Sequence, residues 1–404
     1  MPDARHEHPP ARLLVVDDIE MNRDLLVRRA RRLGHESGVA EDGVAALEQL
    51  RAAAWDLVLL DITMPRMDGY ETLRQIKADP ALSHVPVIMV SAIDEVDSVV
   101  RCLEMGADDY VTKPFNAVIL QARIEAALAK KRLADQRQAV LRALEREMEI
   151  GHRIQRGFLP AVLPTVPGWS LAAHCEPARQ VGGDFYDVVP LPDGRLALVI
   201  ADICDKGVGA ALYMALFRTL LRVLLVRDAH ARGAGELLVE ATGTVNDYIA
   251  REHGRDNMFA TVFAAVLDPA TGRLDYVNLG HDAPMLHRVG APLRRLEPGA
   301  PACGLMDGLR GVPGRVDLSS GDCLLMFTDG ATDAGEQTDA GLSEGGTSAF
   351  GEARLAQLLH EHAAADAPRL IDAIAAAVRA HAAGRPAHDD LTLLSLKYEG
   401  SRTG

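Results

Sequence analysis

The chain has 404 residues, room for two or three domains at roughly 100–200 residues each, and its 43 Lys plus Arg against 57 Asp plus Glu give a formal net charge of -14. That acidic balance leaves no basic surface for a sequence-independent grip on nucleic-acid phosphates. Hydrophobic residues at 48% and charged residues at 25% are ordinary for soluble globular proteins, so neither global disorder nor a membrane bundle fits. Cys102, Cys175, Cys204, Cys303 and Cys323 stand far apart with no CxxC pair. A disulfide framework or zinc knuckle is therefore not expected, and a reducing cytoplasm suits the chain.

Residues 1–10 are polar and lack an apolar segment, so they read as a flexible tail and not as a signal peptide. From Arg12 to about Arg123, short apolar runs alternate with helical segments: Leu13–Val16, a helix over Asn22–Leu33, Leu57–Leu60, Val87–Val90 and Tyr110–Thr112. This alternation predicts a doubly wound α/β domain, its parallel strands continuously apolar because both faces are covered. From Ile119 to Gln155 there is no proline, and Gly151 is the one glycine, which predicts a single long helix. Leu141, Leu144, Met148 and Gln155 follow a partial 3-4 spacing, the pattern of a coiled coil that would make a parallel homodimer. Pro160, Pro164 and Pro167 close this connector.

Beyond Gly168 longer strands come in groups and helices in pairs. Strands are expected at Arg195–Ala201, Ala260–Leu267, Leu274–Val277, Leu324–Phe327 and Leu391–Leu396, and helices at 208–228, 235–251, 352–362 and 367–383. That grouping predicts α+β architecture with antiparallel sheets. The stretch Val208–Val226 approaches membrane-spanning length. Arg218 and Arg222 near its middle argue instead for a helix packed in a soluble domain, and no membrane contact is expected. The segment 333–348, rich in Gly, Thr, Ser and acid, reads as a mobile loop.

In a doubly wound sheet, ligands bind beyond the carboxyl ends of the strands. The residues that follow the first-domain strands are Asp17 and Asp18, Asp61, Ser91, and Lys113 before Pro114. Three carboxylates brought together repel unless a divalent cation sits among them, and hard oxygen ligands suit Mg2+. With Asp17 and Asp18 placed to hold the ion, Asp61 is the candidate nucleophile toward a phosphoryl donor, and Ser91 and Lys113 stabilise charge on the transferred group. The motifs Val15-Val-Asp-Asp18, Asp61-Ile-Thr-Met-Pro-Arg-Met-Asp-Gly69, Ser91-Ala92, Gly106-Ala-Asp-Asp-Tyr110 and Lys113-Pro-Phe115 resemble the receiver domain of two-component response regulators, whose fold is flavodoxin-like. The resemblance implies that Asp61 accepts phosphate from a cognate histidine kinase, that Tyr110 is an aromatic switch, and that the Lys113-Pro114 peptide is cis.

The second half carries Val181-Gly-Gly-Asp-Phe-Tyr-Asp187, Ala201-Asp-Ile-Cys-Asp-Lys-Gly-Val-Gly-Ala210, Phe327-Thr-Asp-Gly330 and His388-Asp-Asp-Leu-Thr392. Aspartates gathered at strand ends without histidine or cysteine partners describe an oxygen-only site for Mn2+ or Mg2+. Two such ions can lower the pKa of a shared water and aim it at phosphorus, so no protein nucleophile is needed. These motifs resemble the metal-dependent serine/threonine phosphatases of the PPM type, in the sporulation and stress-response branch that acts on anti-sigma-factor antagonists. Ile154-Gln155 and Phe158-Leu-Pro160 are similar to the segment that precedes that branch's catalytic domain.

The resemblance implies an antiparallel β-sandwich flanked by helices and a two-metal site of Asp184, Asp202, the Ile203 carbonyl, Asp329 and Asp389. Asp390 is either a ligand or an outer partner, ranked after Asp389. Asp205 and Leu279 depart from the family pattern without removing a ligand. Cys204 is expected to be a packed core thiol and His281 a turn histidine. The resulting layout is a tail (1–10), a receiver (11–127), a helical connector (128–167), a PPM-type phosphatase (168–398) and a second tail (399–404). Its function would be hydrolysis of phosphoserine or phosphothreonine on an anti-sigma-factor antagonist under the control of Asp61. The rival is a catalytically silent scaffold that sequesters the same partner. A DNA-binding output fails on charge and on the lack of a C-terminal helix-turn-helix pattern.

Overall fold

The computed structural model describes residues 10–92, 96–114, 116–335, 349–385 and 387–400. Phe115, most of both expected tails and the 336–348 part of the expected mobile loop lie outside these residues. The chain separates into two compact units, Met1–Leu144 and Glu145–Gly404.

The first unit runs β1 (Arg12–Val16), α1 (Glu20–Arg32), β2 (Glu36–Ala40), α2 (Gly43–Ala52), β3 (Leu57–Asp61), α3 (Gly69–Ala78), β4 (Val87–Ser91), α4 (Val96–Glu104), β5 (Asp109–Thr112) and the first part of α5 (Ala117–Arg156), whose residues from Glu145 on belong to the second unit. Among the described residues its strands form one parallel sheet in the order β2-β1-β3-β4-β5. Alternate side chains feed two cores. Leu14, Val16, Val58 and Leu60 pack under Leu47, Leu50, Leu73 and Ile76 of α2 and α3. Leu13, Val15, Leu57 and Leu59 pack under Leu26 of α1 and Leu120, Ile124 and Leu128 of α5. Each such side chain contributes roughly 1.5–3 kcal/mol of burial, and covering both faces is why these strands read as unbroken apolar runs.

Two first-unit features differ from the sequence expectation. The first helix starts at Glu20, because the Asn22 side chain does not cap it and donates to Asp17 Oδ1 at 3.0 Å. Edge strand β2 has the sequence ESGVA and carries no apolar run; it exists because β1 pairs with it. Its Gly38 leaves room for the Trp55 ring, which a Cβ there would meet at 2.2 Å.

The second unit comprises β6 (Trp169–Glu176), β7 (Phe185–Pro190), β8 (Leu196–Ile203), α6 (Val208–Asp228), α7 (Ala234–Glu252), β9 (Ala260–Asp268), β10 (Arg273–Leu279), β11 (Met285–His287), β12 (Arg294–Arg295), β13 (Gly314–Asp317), β14 (Cys323–Phe327), α8 (Glu352–His362), α9 (Ala367–Ala382) and β15 (Leu391–Tyr398). Two antiparallel sheets, β13-β10-β9-β8-β7 and β12-β11-β14-β15-β6, face each other across Leu198, Ile200, Phe263, Leu324, Met326 and Leu394. The outer face of the first sheet packs on α6 and α7 through Val199, Ala201, Met214, Phe217 and Leu238. The outer face of the second packs on α8 and α9 through Leu325, Phe327, Leu355 and Ile374. The result is a sandwich with a helical layer on each side.

Helix α6 is long and apolar enough to cross a membrane by length and composition. Its Ala210, Met214, Phe217, Leu221 and Leu225 are buried in the core against the sheet, and its two arginines reach buried Asp187. Arg222 Nη1 donates to both Asp187 oxygens at 2.7 and 2.9 Å, and Arg218 pairs at 3.2 Å. Both guanidiniums are thus engaged by an internal carboxylate of the first sheet.

Candidate functional sites

The first site stands at the carboxyl ends of β1, β3, β4 and β5. Parallel pairing sets Val16 beside Leu60, Asp61 beside Val90 and Ser91 beside Thr112, so Asp17, Asp61, Ser91 and Lys113 emerge on one edge. One oxygen from each of Asp17, Asp18 and Asp61 lies within 4.8 Å of the other two. Lys113 Nζ bridges Asp17 Oδ2 at 2.7 Å and Asp61 Oδ1 at 3.0 Å. Asp17 Oδ1 also accepts from the Ile19 amide at 2.9 Å, which fixes the carboxylate's direction.

Burial raises the Asp61 pKa, and the Lys113 contacts only partly offset it. For Lys113, burial alone would favour loss of the proton, but hydrogen bonds to Asp17 and Asp61 outweigh it and its pKa rises. Buried Tyr110 belongs to the core beneath this edge, and the Lys113-Pro114 peptide is cis. Behind Asp61, a Cβ on Gly69 would come within 2.2 Å of the Asp61 carbonyl. The Asp68-Gly69 step is therefore a close approach, with the Asp68 side chain capping α3 on the Glu71 amide at 2.8 Å.

The second site collects acids from four distant segments. Asp184 precedes β7, Asp202 is in β8, Asp329 opens the turn after β14, and Asp389 and Asp390 precede β15. Burial, then the charges of Asp202 and Asp390, push the Asp184 carboxyl well above the usual range. Asp202, in hydrogen-bonding contact with Asp184, is likewise raised, first by burial and then by the charge of Asp329. Asp329 is pushed up to about 6 by burial and by the charge of Asp389, with Asp282 and Asp333 adding to it. Among the described residues the ion pair made to this group is Lys206 with Asp389 at 2.7 Å.

A set of wholly or partly buried carboxylates held against its own repulsion is the donor chemistry that hard divalent cations satisfy. The array is wider than the receiver trio, which among the described residues is the one group of three acids with ligand atoms all within 4.8 Å. A spread set is what two ions a few ångströms apart would need. The Ile203 carbonyl, expected among the ligands, lies 2.9 Å from where a Gly183 Cβ would stand.

The two adjacent aspartates of the last segment do different things. Asp390 Oδ1 accepts from the Ala178 amide at 2.7 Å, and its Oδ2 accepts from Gly183 at 2.7 Å and from Asp184 at 3.4 Å. Both its oxygens thus organise the loop that carries Asp184. Glycine is required around it, since a Cβ on Gly182 would meet Asp390 Oδ2 at 2.1 Å and one on Gly330 would meet the Asp390 carbonyl at 2.1 Å.

Three residues that the sequence reading did not single out join the site. Thr328 Oγ1 donates to Asp184 Oδ2 at 2.6 Å, Lys206 pairs with Asp389, and Asp282 adds charge near Asp329. Thr328 and Lys206 sit inside motifs already noticed and Asp282 follows His281, but a motif does not say which neighbour a side chain faces. Cys204 is packed, its sulfur receiving the Phe259 amide at 3.1 Å. His281 is a buried turn residue: its amide donates to Asn278 Oδ1 at 2.8 Å and its Nδ1 meets Thr261 Oγ1 at 2.8 Å. Burial holds its pKa down to about 4.

The connector's end docks on this loop. Gln155 Nε2 donates to the Gly182 carbonyl at 2.5 Å, and Gln155 Oε1 accepts from the Gly182 amide at 3.1 Å. Phe158 and Leu159 pack on the α6–α7 side of the sheet. Ile154 beside Gln155 is 59% exposed, because the helix turns Gln155 and not its neighbour toward the loop.

Residues 13–125 match the response regulator receiver domain profile, and residues 192–399 match that of stage II sporulation protein E. The second match begins after Asp184, which β7 carries into the same sandwich. Protein IcfG of Synechocystis is 37% identical over 269 residues, 62% of this chain and 41% of IcfG. The response regulator PleD of Caulobacter vibrioides is 40% identical over 126 residues, 31% of this chain and 28% of PleD. The chain thus spans less than half the length of either relative. Among solved structures, the SiaA-PP2C domain of Pseudomonas aeruginosa aligns with a TM-score of 0.54 at 22% identity, covering 64% of this chain and 99% of that one, a likeness of fold.

Proposed function

The chain belongs to the stage II sporulation protein E family, with a receiver domain ahead of the family's domain, and on that premise we propose that it is a response regulator whose output is enzymatic. A cognate histidine kinase phosphorylates Asp61, and the acidic centre of the second unit hydrolyses phosphoserine or phosphothreonine on a protein partner, an anti-sigma-factor antagonist. Such a kinase-fed protein works in the cytoplasm, and its exposed Leu133, Val140 and Leu144 along α5 suit a homodimer through the connector.

In the receiver, Asp17 and Asp18 would hold Mg2+, Asp61 attacks the phosphorus as the donor's bond to it breaks, and Lys113 and Ser91 receive the charge of the transferred group. Tyr110 is the switch residue. In the second unit, Asp184, Asp202, the Ile203 carbonyl, Asp329 and Asp389 would hold two Mn2+ or Mg2+ ions, which when bound neutralise the phosphoester and favour hydroxide over water at neutral pH. Asp390 keeps the Gly182–Asp184 loop in place, and Thr328 orients the Asp184 carboxylate. No protein nucleophile is used.

The observation that carries the reading is the mutually repelling set of buried Asp184 and half-buried Asp202 and Asp329 in a family sandwich. Phosphate release from p-nitrophenyl phosphate and from phosphorylated antagonist proteins tests it. Asp202→Ala or Asp329→Ala should abolish release, and a chelator should do so reversibly. Release that survives both substitutions removes the two-metal reading, and partner binding with no release by the parent protein leaves the silent scaffold.

A further inference from the structure

A groove of about 1000 Å3 opens beside the second site, with Asp184 and Asp390 among its lining. The end of α5 contributes Arg153 and Arg156, and the turn after β6 contributes Arg179. All three are exposed, and among the described residues none makes an ion pair or a side-chain hydrogen bond.

The acids of the same groove are already engaged. Glu176 pairs with Arg379 at 3.0 Å and with His174 at 3.1 Å. Asp390 is taken up by backbone amides, and Asp184 lies buried against Thr328. Other arginines of this unit that lie beside acids are paired, as in Arg288 with Asp322, Arg310 with Asp247 and Arg315 with Asp275. Three guanidiniums without a protein partner beside one acidic centre thus gather positive charge on one side of the groove in a chain of net charge -14.

We infer that this groove selects the substrate: it takes a phosphoserine or phosphothreonine segment flanked by carboxylates, which Arg153, Arg156 and Arg179 engage while the phosphate faces the acidic centre. The inference rests on the phosphatase reading and adds the class of sequence it acts on. Guanidinium forks suit carboxylates and phosphate, and Arg153 and Arg156 are three apart on one helical face. Two of the three belong to the connector helix, so one wall of the substrate groove exists only while that helix end is docked through Gln155. Recognition and regulation would then share an element.

The test uses the full chain with Mn2+ and two phosphopeptides that differ only in acidic or lysine residues around the phosphoserine, with p-nitrophenyl phosphate as a reference that carries no flanking residues. Exposed ion pairs contribute factors of about 1.4–5 each, so kcat/KM for the acidic peptide should exceed that for the lysine peptide by about 5–30-fold at low salt. The preference should shrink as ionic strength rises. It should collapse in Arg153→Glu/Arg156→Glu and persist in Arg156→Lys. Equal turnover of the two peptides at low salt in the parent protein overturns the inference, whatever the variants do. Failure to hydrolyse all three compounds overturns the phosphatase reading instead. Peptide binding by fluorescence anisotropy then decides the groove, and the same acidic preference must appear there or the inference is wrong.

Discussion

Replacing Gln155 by alanine removes the clamp between the connector helix and the Asp184 loop. Two hydrogen bonds go, of 2.5 and 3.1 Å, and the Gly182 amide and carbonyl lose their partner together. At about 0.5–1.5 kcal/mol net for each bond, docking weakens by about 1–3 kcal/mol, roughly 5–150-fold in the docked-to-free ratio. Phe158 and Leu159 remain packed on the domain, so the segment loosens and does not detach. The loop that loosens is the one whose Gly183 amide lies on Asp390 and whose next residue is Asp184. The expected outcome is a fall in kcat/KM for p-nitrophenyl phosphate within that range, with the Mn2+ midpoint moved to higher concentration. Gln155→Glu should fall between parent and alanine, since a carboxylate accepts from the Gly182 amide but repels its carbonyl. Parental kcat/KM and an unchanged Mn2+ midpoint in Gln155→Ala would refute the clamp.

Asp61→Asn should abolish stable labelling by acetyl phosphate while leaving the far-ultraviolet spectrum unchanged, because the amide removes the attacking oxygen at nearly constant volume; labelling at the parental level contradicts the assignment. The chelated protein should lose thermal stability as pH rises from about 4 to 7. Asp202, raised from 3.8 to about 7, and Asp184, raised well above 3.8, are held protonated by the folded state, so their ionisation opposes folding. Across most of the same window neutral His281, pushed down from 6.5 to about 4, works in the opposite sense, and one such group against two raised acids reduces the loss without reversing it. A Tm drop of about 2–4 °C per kcal/mol should disappear on adding Mn2+, and a flat or rising Tm in chelator would count against the repelling acids. Beryllofluoride, as a phosphoryl mimic at Asp61, should raise phosphate release in the parent protein and fail to do so after a two-residue Gly-Ser insertion following Leu144. An equal response in both proteins makes the connector a passive tether.

Local chemistry wrote much of this protein into its sequence. Leu13–Val16, Leu57–Leu60 and Val87–Val90 read as strands because both faces of a parallel sheet are buried, and such a sheet brings the residues after its strands to one edge, so Asp17, Asp61, Ser91 and Lys113 could be grouped without coordinates. The long helix ending near Gln155 and the paired helices of the second half were legible because a pattern of period 3.6 needs only near neighbours. Strand β2 was not, since its polar edge owes its conformation to β1, and neither were β6 and β7, whose pairing partners settle them. Strand β6 is held by β15, with Leu391 beside Glu176, more than 200 residues away in sequence.

Such long-range contacts also decided what each acid faces. Asp389 and Asp390 are covalent neighbours of identical chemistry, yet one pairs with Lys206 and the other caps the Gly182–Asp184 loop. Thr328 acquires its role only where β14 and β15 bring it to Asp184. Gln155 grips Gly182 because the helix phase at its end presents that residue and leaves Ile154 in water. Composition and spacing determine which groups are available; the direction of a carboxylate is set by the donors around it, and here those donors arrive from segments that meet only in the folded sandwich.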